Sequence, residues 1–283
     1  MEGKTRIIKN LVWLSTIFFV SFVPTEVLGR TIYQRDSLYS HIRVDDTGRV
    51  RTLYFNTAPQ TTMDLGDPLR GAFEYTEFMH CALALKPGLK KVLVLGLGGG
   101  SISKAFYYRY PDVSITAVDI DPVVVEVAKK YFFVPEDARH RIVINDARRF
   151  LANSSGGYDA IFIDAYLADY YGAYVPFHLA TREFFSLVEK KLSPGGVVAY
   201  NVIGQINGFN GASVAAIYRT MASVFGKLYL FPASNTMNVV MVGVKGGNPP
   251  PLETLKSQAR AVDTRYKNLP VSISWVVSRA RTL

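Results

Sequence analysis

The chain has 283 residues, of which 49% are hydrophobic and 19% charged, and its formal net charge is +9. This composition is typical of a globular protein with a large core and excludes an intrinsically disordered chain. The basic residues are dispersed rather than gathered in a run, so we expect no nucleic-acid partner, and solvated helix ends and faces explain the charge better. The single cysteine, Cys81, excludes an intramolecular disulfide.

The first predicted element is an apolar stretch, Leu11 to Val23, that follows three basic residues. It is short for a transmembrane helix but has the length of a signal-peptide core. Residues 1–29 are therefore predicted to be a signal peptide or a membrane anchor. The rest of the chain would then be exported to the periplasm or held at a membrane, with the cytoplasmic face of the membrane as the alternative.

Residues 30–88 are predicted to form a small β module and a linking helix. Alternating apolar residues between 31 and about 66 indicate short strands around a turn at Thr47-Gly48, which is the pattern of a β-hairpin. Pro68 to Leu85 are expected to form the linking helix, and Pro87-Gly88 mark the entry into the next strand.

The most informative run is VLVLGLGGGSISKAF, in which a strand from Val92 to Leu95 leads into a glycine-rich loop. Successive apolar residues predict a parallel strand that is buried on both faces. The glycines allow a sharp turn and the close approach of a ligand to the main chain. Ser101 is expected to cap the following helix, and it stands where the third glycine of a G-x-G-x-x-G dinucleotide site would be.

Three aspartates follow the next three apolar strands at their carboxyl ends: Asp119 after SITAV, Asp146 after RIVIN and Asp164 after YDAIFI. Open α/β sheets bind ligands along this edge, and a carboxylate at Asp119 would accept hydrogen bonds from both hydroxyls of a ribose. Asp119 or Asp146 alone would also be explained as a helix cap. Three acids at equivalent strand ends favour a binding crevice for a nucleoside.

The remaining elements complete the domain, which is predicted to cover residues 89–283. They are a fifth strand in VVAYNVI, a helix from Ala212 to Phe225, and two final strands in KLYLFPA and NVVMVGVK. The predicted fold class is α/β: a Rossmann-like, doubly wound, mostly parallel seven-stranded sheet, preceded by a small amino-terminal β-hairpin module.

Several of these runs together resemble the spermidine synthase, or polyamine aminopropyltransferase, family of the class I S-adenosylmethionine-type transferases. The resemblance extends from about Tyr33 to Val244 and is most specific in VLGLGGGS, VDIDPVVVEVAKKYF, NDARRFL, DAY followed by Asp169, and HLATREFFSLVEKKLSPGGVVAYNVI. It implies a cosubstrate site for decarboxylated S-adenosylmethionine, or for S-adenosylmethionine itself, with these residues: Gly96, Gly98, Gly100, Asp119 and Ile120 for the methionine portion and ribose, and Asp146 with Ala147 for adenine.

The resemblance also implies the catalytic groups. Asp164 is at the place of the family's catalytic carboxylate, and Tyr75 and Asp169 would position the amine. A putrescine-like polyamine is cationic and would need an acidic pocket, which Asp164, Asp169 and Glu77 could supply. His178 could orient a substrate, although a histidine ahead of a helix is more often structural. Because the family often dimerises, a homodimer is a further expectation.

Two departures from the family pattern concern the amine end of this site. Gly99 stands where the family's G-G-G-D-G loop has its aspartate, and Leu167 stands where D-[ST]-[ST]-D-P has its second aspartate. The nucleoside site is thus expected to be kept and the amine site to be altered.

The predicted function is aminopropyl transfer from decarboxylated S-adenosylmethionine to an amine. The alternatives are a methyltransferase that uses intact S-adenosylmethionine and a noncatalytic nucleoside-binding module. No metal site is expected, because the histidines lack zinc-ligand spacing and Tyr200-Asn201 lacks the acidic ligand of catechol-type O-methyltransferases.

Overall fold

The computed structural model describes residues 29–69, 73–169, 172–208, 211–267, 269 and 271–282. The predicted signal peptide or membrane anchor, residues 1–29, lies outside these ranges except for Gly29, and it stays a prediction. Within the described ranges, no helix combines the length and the apolar character that a membrane crossing needs.

The amino-terminal module is a sheet of four antiparallel strands: β1 (Arg30–Asp36), β2 (His41–Thr47), β3 (Val50–Phe55) and β4 (Ala58–Asp64). β2 and β3 form the predicted hairpin, and Gly48 adopts a left-handed conformation in its two-residue turn. The module is larger than that hairpin, because β1 and β4 pair along its two outer edges.

The linking segment is helical over a shorter range than predicted. It consists of α1 (Tyr75–Phe78), a 3₁₀ turn (Met79–Cys81) and α2 (Ala82–Leu85). The helix does not begin at Pro68, because the chain is still turning at the end of β4. There the Asp64 carboxylate accepts a hydrogen bond from the Gly66 backbone N–H, a turn that aspartate and glycine favour.

The central sheet contains five parallel strands: β5 (Lys91–Leu95), β6 (Ser114–Asp119), β7 (His140–Ile144), β8 (Tyr158–Ile163) and β11 (Leu192–Ile203). Two antiparallel strands, β12 (Tyr229–Pro232) and β13 (Asn238–Val244), extend it beyond β11. The strand order is β12-β13-β11-β8-β5-β6-β7. The predicted α/β class with a mostly parallel seven-stranded sheet is thus confirmed.

Helices cover both faces of this sheet: α3 (Ser101–Arg109), α4 (Pro122–Tyr131), α5 (Ala147–Asn153), α6 (Arg182–Lys191), α7 (Gly211–Phe225), α8 (Leu252–Arg265) and α9 (Ile273–Ser278). Successive residues of β5 point into two separate cores. Val92 and Val94 pack with residues of the β1–β4 module, α3, α4, α8 and α9, whereas Leu93 and Leu95 pack with α5, α6 and α7. Burial on both faces explains why β5 is a continuous apolar run.

The sequence did not predict the short hairpin of β9 (Leu167–Asp169) and β10 (Gly172–Tyr174) or the helix pair α8 and α9. In this pair, α8 packs on α2 and α9 packs on the 3₁₀ turn. Leu255 and Ala259 of α8 are fully buried four residues apart, and this helical spacing was a signal for the helix.

The direction of the chain reverses at β5. β6 and β7 are added on one side of β5, after which the chain crosses over to β8 on the other side. A crevice opens at the carboxyl ends of the strands at such a reversal, and ligands of open α/β sheets bind there.

Candidate functional site

A cavity lies over the carboxyl ends of β7, β6, β5 and β8, and residues of the β1–β4 module form part of its wall. The strand order arranges the lining aspartates in a row: Asp146 after β7, Asp119 at the end of β6 and Asp164 after β8, with the glycine loop of β5 between the last two. Three interstrand steps of about 4.8 Å separate the two ends of the row, or roughly 14 Å. Three acids predicted at equivalent strand ends therefore line one cavity.

The glycine loop turns at Gly96, where the chain leaves β5. Gly96 has a φ of +95°, and a Cβ atom there would lie 2.2 Å from the backbone oxygen of Asp164. Gly96 and Gly98 line the cavity, but Gly100 does not. A Cβ atom on Gly100 would lie 2.3 Å from Val134 Cγ2, so the role of Gly100 is close packing behind the loop.

The prediction that Ser101 caps α3 is wrong. The cap position is held by Gly100 in the left-handed conformation, and no side chain accepts a hydrogen bond there. Ser101 is already the first helical residue, and it lines the cavity.

Asp119 connects the glycine loop to β6. Its Oδ2 accepts hydrogen bonds from the backbone N–H groups of Leu97 (2.9 Å) and Gly98 (3.4 Å), and its Oδ1 accepts one from Asp121 (3.0 Å). Burial raises the pKa of Asp119, and these hydrogen bonds partly oppose the rise. Asp119 is not the cap of α4, because Asp121 has that role through its bond to the Val123 N–H. Oδ1 of Asp119 accepts this hydrogen bond from Asp121 and has the capacity to accept another, for example from a ribose hydroxyl.

Asp146 lies at the far end of the cavity and has two roles. Its Oδ1 accepts a hydrogen bond from the Arg149 N–H at 2.8 Å and so caps α5, which is the alternative that the sequence left open. Its Oδ2 lies 3.2 Å from Nε2 of His178, which also lines the cavity. Ile120 and Ala147, predicted with these acids, are lining residues as well.

Asp164 is held by two donors. The Tyr75 hydroxyl donates to Oδ2 at 3.1 Å, and Nδ2 of Asn201 donates to Oδ1 at 2.8 Å. Asn201 is itself 1% exposed, and its amide oxygen accepts a hydrogen bond from Nδ2 of Asn238 at 3.0 Å. This chain of amides fixes which atom of Asn201 faces the carboxylate.

The same environment sets the proton affinity of the pair. Burial raises the pKa of Asp164, while the hydrogen bonds from Asn201 and Tyr75 lower it. Burial together with the Asp164 charge raises the pKa of Tyr75 well above its usual value, so the phenol stays protonated and remains a donor. The site thus contains a carboxylate with increased affinity for a proton next to a tyrosine that cannot compete for it.

Two predicted acids are not brought to the cavity. Asp169 is exposed and pairs with Gly172 in the β9–β10 hairpin, and it is absent from the lining. Glu77 forms an ion pair with Arg109 at 3.2 Å, and it too is absent from the lining. Arg109 pairs with Glu77, and the hairpin places Asp169 at the surface, so neither acid lies beside Asp164 in this structure. Their part in an acidic pocket stays a prediction.

Several lining residues were missed from the sequence, including Gln60 and Thr61 of β4. Oγ1 of Thr61 accepts a hydrogen bond from the Gly99 N–H at 3.0 Å. A Cβ atom on Gly99 would lie 2.5 Å from Cγ2 of Thr61. The departure at Gly99 therefore has a packing reason, since an aspartate there would clash with Thr61.

In the described part of the chain, no three His, Cys, Asp or Glu side chains are grouped closely enough to hold a metal ion.

Comparison with known proteins places this geometry in a family. A family profile described as the Spermine/spermidine synthase domain matches residues 72–236. The polyamine aminopropyltransferase of Vibrio vulnificus is 31% identical over 252 residues, which are 86% of this chain and 81% of the relative. The probable polyamine aminopropyl transferase of Bifidobacterium longum is 30% identical over 239 residues, which are 82% of this chain and 51% of the relative, so the chain spans about half of that relative.

One further relative and one solved structure are informative. Putrescine N-methyltransferase 1 of Nicotiana tabacum is 40% identical over 135 residues, which are 45% of this chain and 35% of the relative. The crystal structure of spermidine synthase from Thermotoga maritima has a TM-score of 0.70 at 22% identity, over 88% of this chain and 84% of that one, which shows the same fold. Because the family profile covers more than half of the residues and includes Asp119, Asp146 and Asp164, the chain belongs to the spermine/spermidine synthase family.

Proposed function

We propose that this chain transfers an aminopropyl group from decarboxylated S-adenosylmethionine to an amine. The observation that carries the proposal is the position of Asp164, which shares one cavity with the glycine loop and Asp119 and is held by Tyr75 and Asn201. The names of the relatives from Vibrio vulnificus and Bifidobacterium longum support the same activity.

The nucleoside of the cosubstrate would bind along the row of aspartates. The ribose hydroxyls would be accepted by Asp119, while adenine would lie near Asp146 and Ala147, at the β7 end. This orientation would bring the sulfonium over the β5 loop and its methylene carbon toward Asp164, because β5 lies between β6 and β8 in the sheet. Donor and acceptor would then meet in one cavity, which converts a bimolecular reaction into an effectively unimolecular one.

The chemical step is a displacement at carbon. The lone pair of the amine nitrogen forms a bond to the methylene carbon attached to sulfur, and the carbon–sulfur bond breaks with its electron pair moving to sulfur. The products are 5′-methylthioadenosine and a substituted ammonium. Because the acceptor amine enters the site protonated, Asp164 first accepts that proton, which frees the nitrogen lone pair for attack, and later passes the proton to solvent. A carboxylate is a better proton acceptor when burial raises its pKa toward the working pH, and Asp164 has this property.

A second candidate is methyl transfer from intact S-adenosylmethionine, which would use the same cavity. The observation in its favour is the close packing of Gly99 against Thr61. This packing leaves no room for an acidic side chain at position 99, in the loop beside the cavity. The likeness to the putrescine N-methyltransferase of Nicotiana tabacum points the same way.

The identity of the nucleoside product separates these candidates. The full chain is incubated with decarboxylated or intact S-adenosylmethionine and a panel of mono-, di- and polyamines, and the products are identified by mass spectrometry. Methylthioadenosine that forms only with the decarboxylated donor and an amine is the expected result. S-Adenosylhomocysteine from the intact donor would replace the proposal with methyl transfer. Nucleoside binding without either product would indicate a noncatalytic module.

A further inference from the structure

We propose that the acceptor is an amine with one cationic group on an apolar body, rather than a diamine. This inference rests on the proposed function and specifies the substrate class of the same site. It follows from the distribution of charge and apolar surface around the cavity in the described part of the chain.

The acids of the cavity are concentrated at its nucleoside end. Four carboxylates line it: Asp119, Asp121, Asp146 and Asp164. The first three lie at or just after the carboxyl ends of β6 and β7, and each accepts at least one hydrogen bond from a backbone N–H at a loop or a helix start. Asp164, after β8, is the one carboxylate among the described lining residues at the opposite end. That end therefore offers a counter-ion for one ammonium.

The remainder of this end is largely aromatic and aliphatic. Tyr75 contacts Asp164 there, and Tyr166 and Leu167 follow Asp164 in the chain; Tyr39 and Phe55 of the amino-terminal module also line the cavity. Two hydrogen bonds hold the wall in place: the Tyr166 hydroxyl donates to the Asn201 carbonyl, and Nδ2 of Asn56 donates to the Ala168 carbonyl at 2.9 Å. The second bond ties the β1–β4 module to β9, the strand in which Leu167 lies. The apolar wall is thus built into the fold.

A second ammonium would meet an unfavourable environment here. Removing a cation from water without a counter-ion is costly, and hydroxyl or amide oxygens such as that of Gln60 solvate a charge without neutralising it. An alkyl or aryl body is stabilised instead, because its apolar surface is removed from water when it packs against these side chains. The position that matters most is Leu167, which is half-buried and lines the cavity three residues after Asp164.

The test compares two acceptors with the same four-carbon chain, n-butylamine and 1,4-diaminobutane, using the donor that gives product with the wild-type chain. The proposal expects kcat/KM for n-butylamine to be at least tenfold higher. A value for 1,4-diaminobutane equal to or above that of n-butylamine would overturn it. If no amine yields methylthioadenosine or S-adenosylhomocysteine from either donor, the proposed function itself fails and the inference fails with it.

Two substitutions test whether position 167 sets the preference between the two acceptors. Leu167→Asp adds a second carboxylate and should shift the ratio of kcat/KM values at least tenfold toward 1,4-diaminobutane, whereas the uncharged Leu167→Asn should not. Affinity for methylthioadenosine, measured by calorimetry, should stay within about twofold of wild type in both variants. An unchanged ratio in a folded Leu167→Asp variant would contradict the assignment. If that variant does not fold, the comparison of n-butylamine with 1,4-diaminobutane in wild type still tests the proposal.

Discussion

Removing the hydroxyl of Tyr75 should lower kcat/KM only at low pH. The phenol donates a hydrogen bond to Oδ2 of Asp164 at 3.1 Å, and this bond favours the ionised carboxylate. In Tyr75→Phe the pKa of Asp164 should therefore rise. The ionised fraction that can accept the amine proton should fall below that pKa and be unchanged well above it.

The size of the effect follows from the geometry of the bond. A hydrogen bond to a charged group contributes about 1.5 to 3 kcal/mol. The observed 3.1 Å is long for a hydroxyl that donates to a carboxylate, so about 1.5 kcal/mol is expected. That energy corresponds to about a tenfold change in the protonation equilibrium.

The assay is the ratio of kcat/KM in Tyr75→Phe to that in wild type, measured across pH with one donor and one amine. Protonation of the amine affects both proteins equally, so the ratio isolates Asp164. It should be near 1 at high pH and fall to about one tenth at low pH. A matched control is Tyr107→Phe, which removes a tyrosine–aspartate bond of 2.6 Å to Asp137, away from the cavity, and should leave the ratio at 1. A ratio for Tyr75→Phe that does not vary with pH would refute the reasoning.

Three further predictions concern binding and stability. Asp119→Ala should weaken methylthioadenosine binding by about 1 to 3 kcal/mol in calorimetry, and an unchanged affinity would contradict its assignment to the ribose. Gly96→Ala, whose Cβ would lie 2.2 Å from a backbone oxygen, should lower the free energy of unfolding more than Gly88→Ala does. Gly88 also has a positive φ but meets nothing within 4 Å, so equal losses in chemical denaturation would count against the close approach. Burial lowers the pKa of Lys104 to about 8, so the folded chain releases this proton earlier than the unfolded chain, whose lysine pKa is 10.5. The free energy of unfolding of wild type relative to Lys104→Met should therefore rise by about 3 kcal/mol as the pH increases from 8 to 10.5, and a pH-independent difference would contradict this.

The features that could be predicted from the sequence are those with local causes. Val92 to Leu95 form a buried strand because each residue is apolar, and the glycines that follow allow a turn that no other residue type would accept at Gly96. An acid at a strand end is also a local feature. Asp119, Asp146 and Asp164 could therefore be placed in one crevice before the structure was considered.

The features that were missed depend on contacts between distant segments. Glu77 is neutralised by Arg109, and Gly99 is packed against Thr61 of the amino-terminal module. Asn201 was considered only as a missing metal ligand, although its amide orients Asp164. No periodicity within a single element predicts such pairs, because they form only when segments that are distant in the sequence pack together.

The most direct test of the central claim is the rate of methylthioadenosine formation from decarboxylated S-adenosylmethionine and an amine, in wild type and in Asp164→Asn. The substitution keeps the shape of the side chain but removes the proton acceptor beside Tyr75 and Asn201. We expect methylthioadenosine to bind with unchanged affinity while turnover falls by roughly 100-fold or more. An Asp164→Asn variant that forms methylthioadenosine at the wild-type rate would contradict the claim.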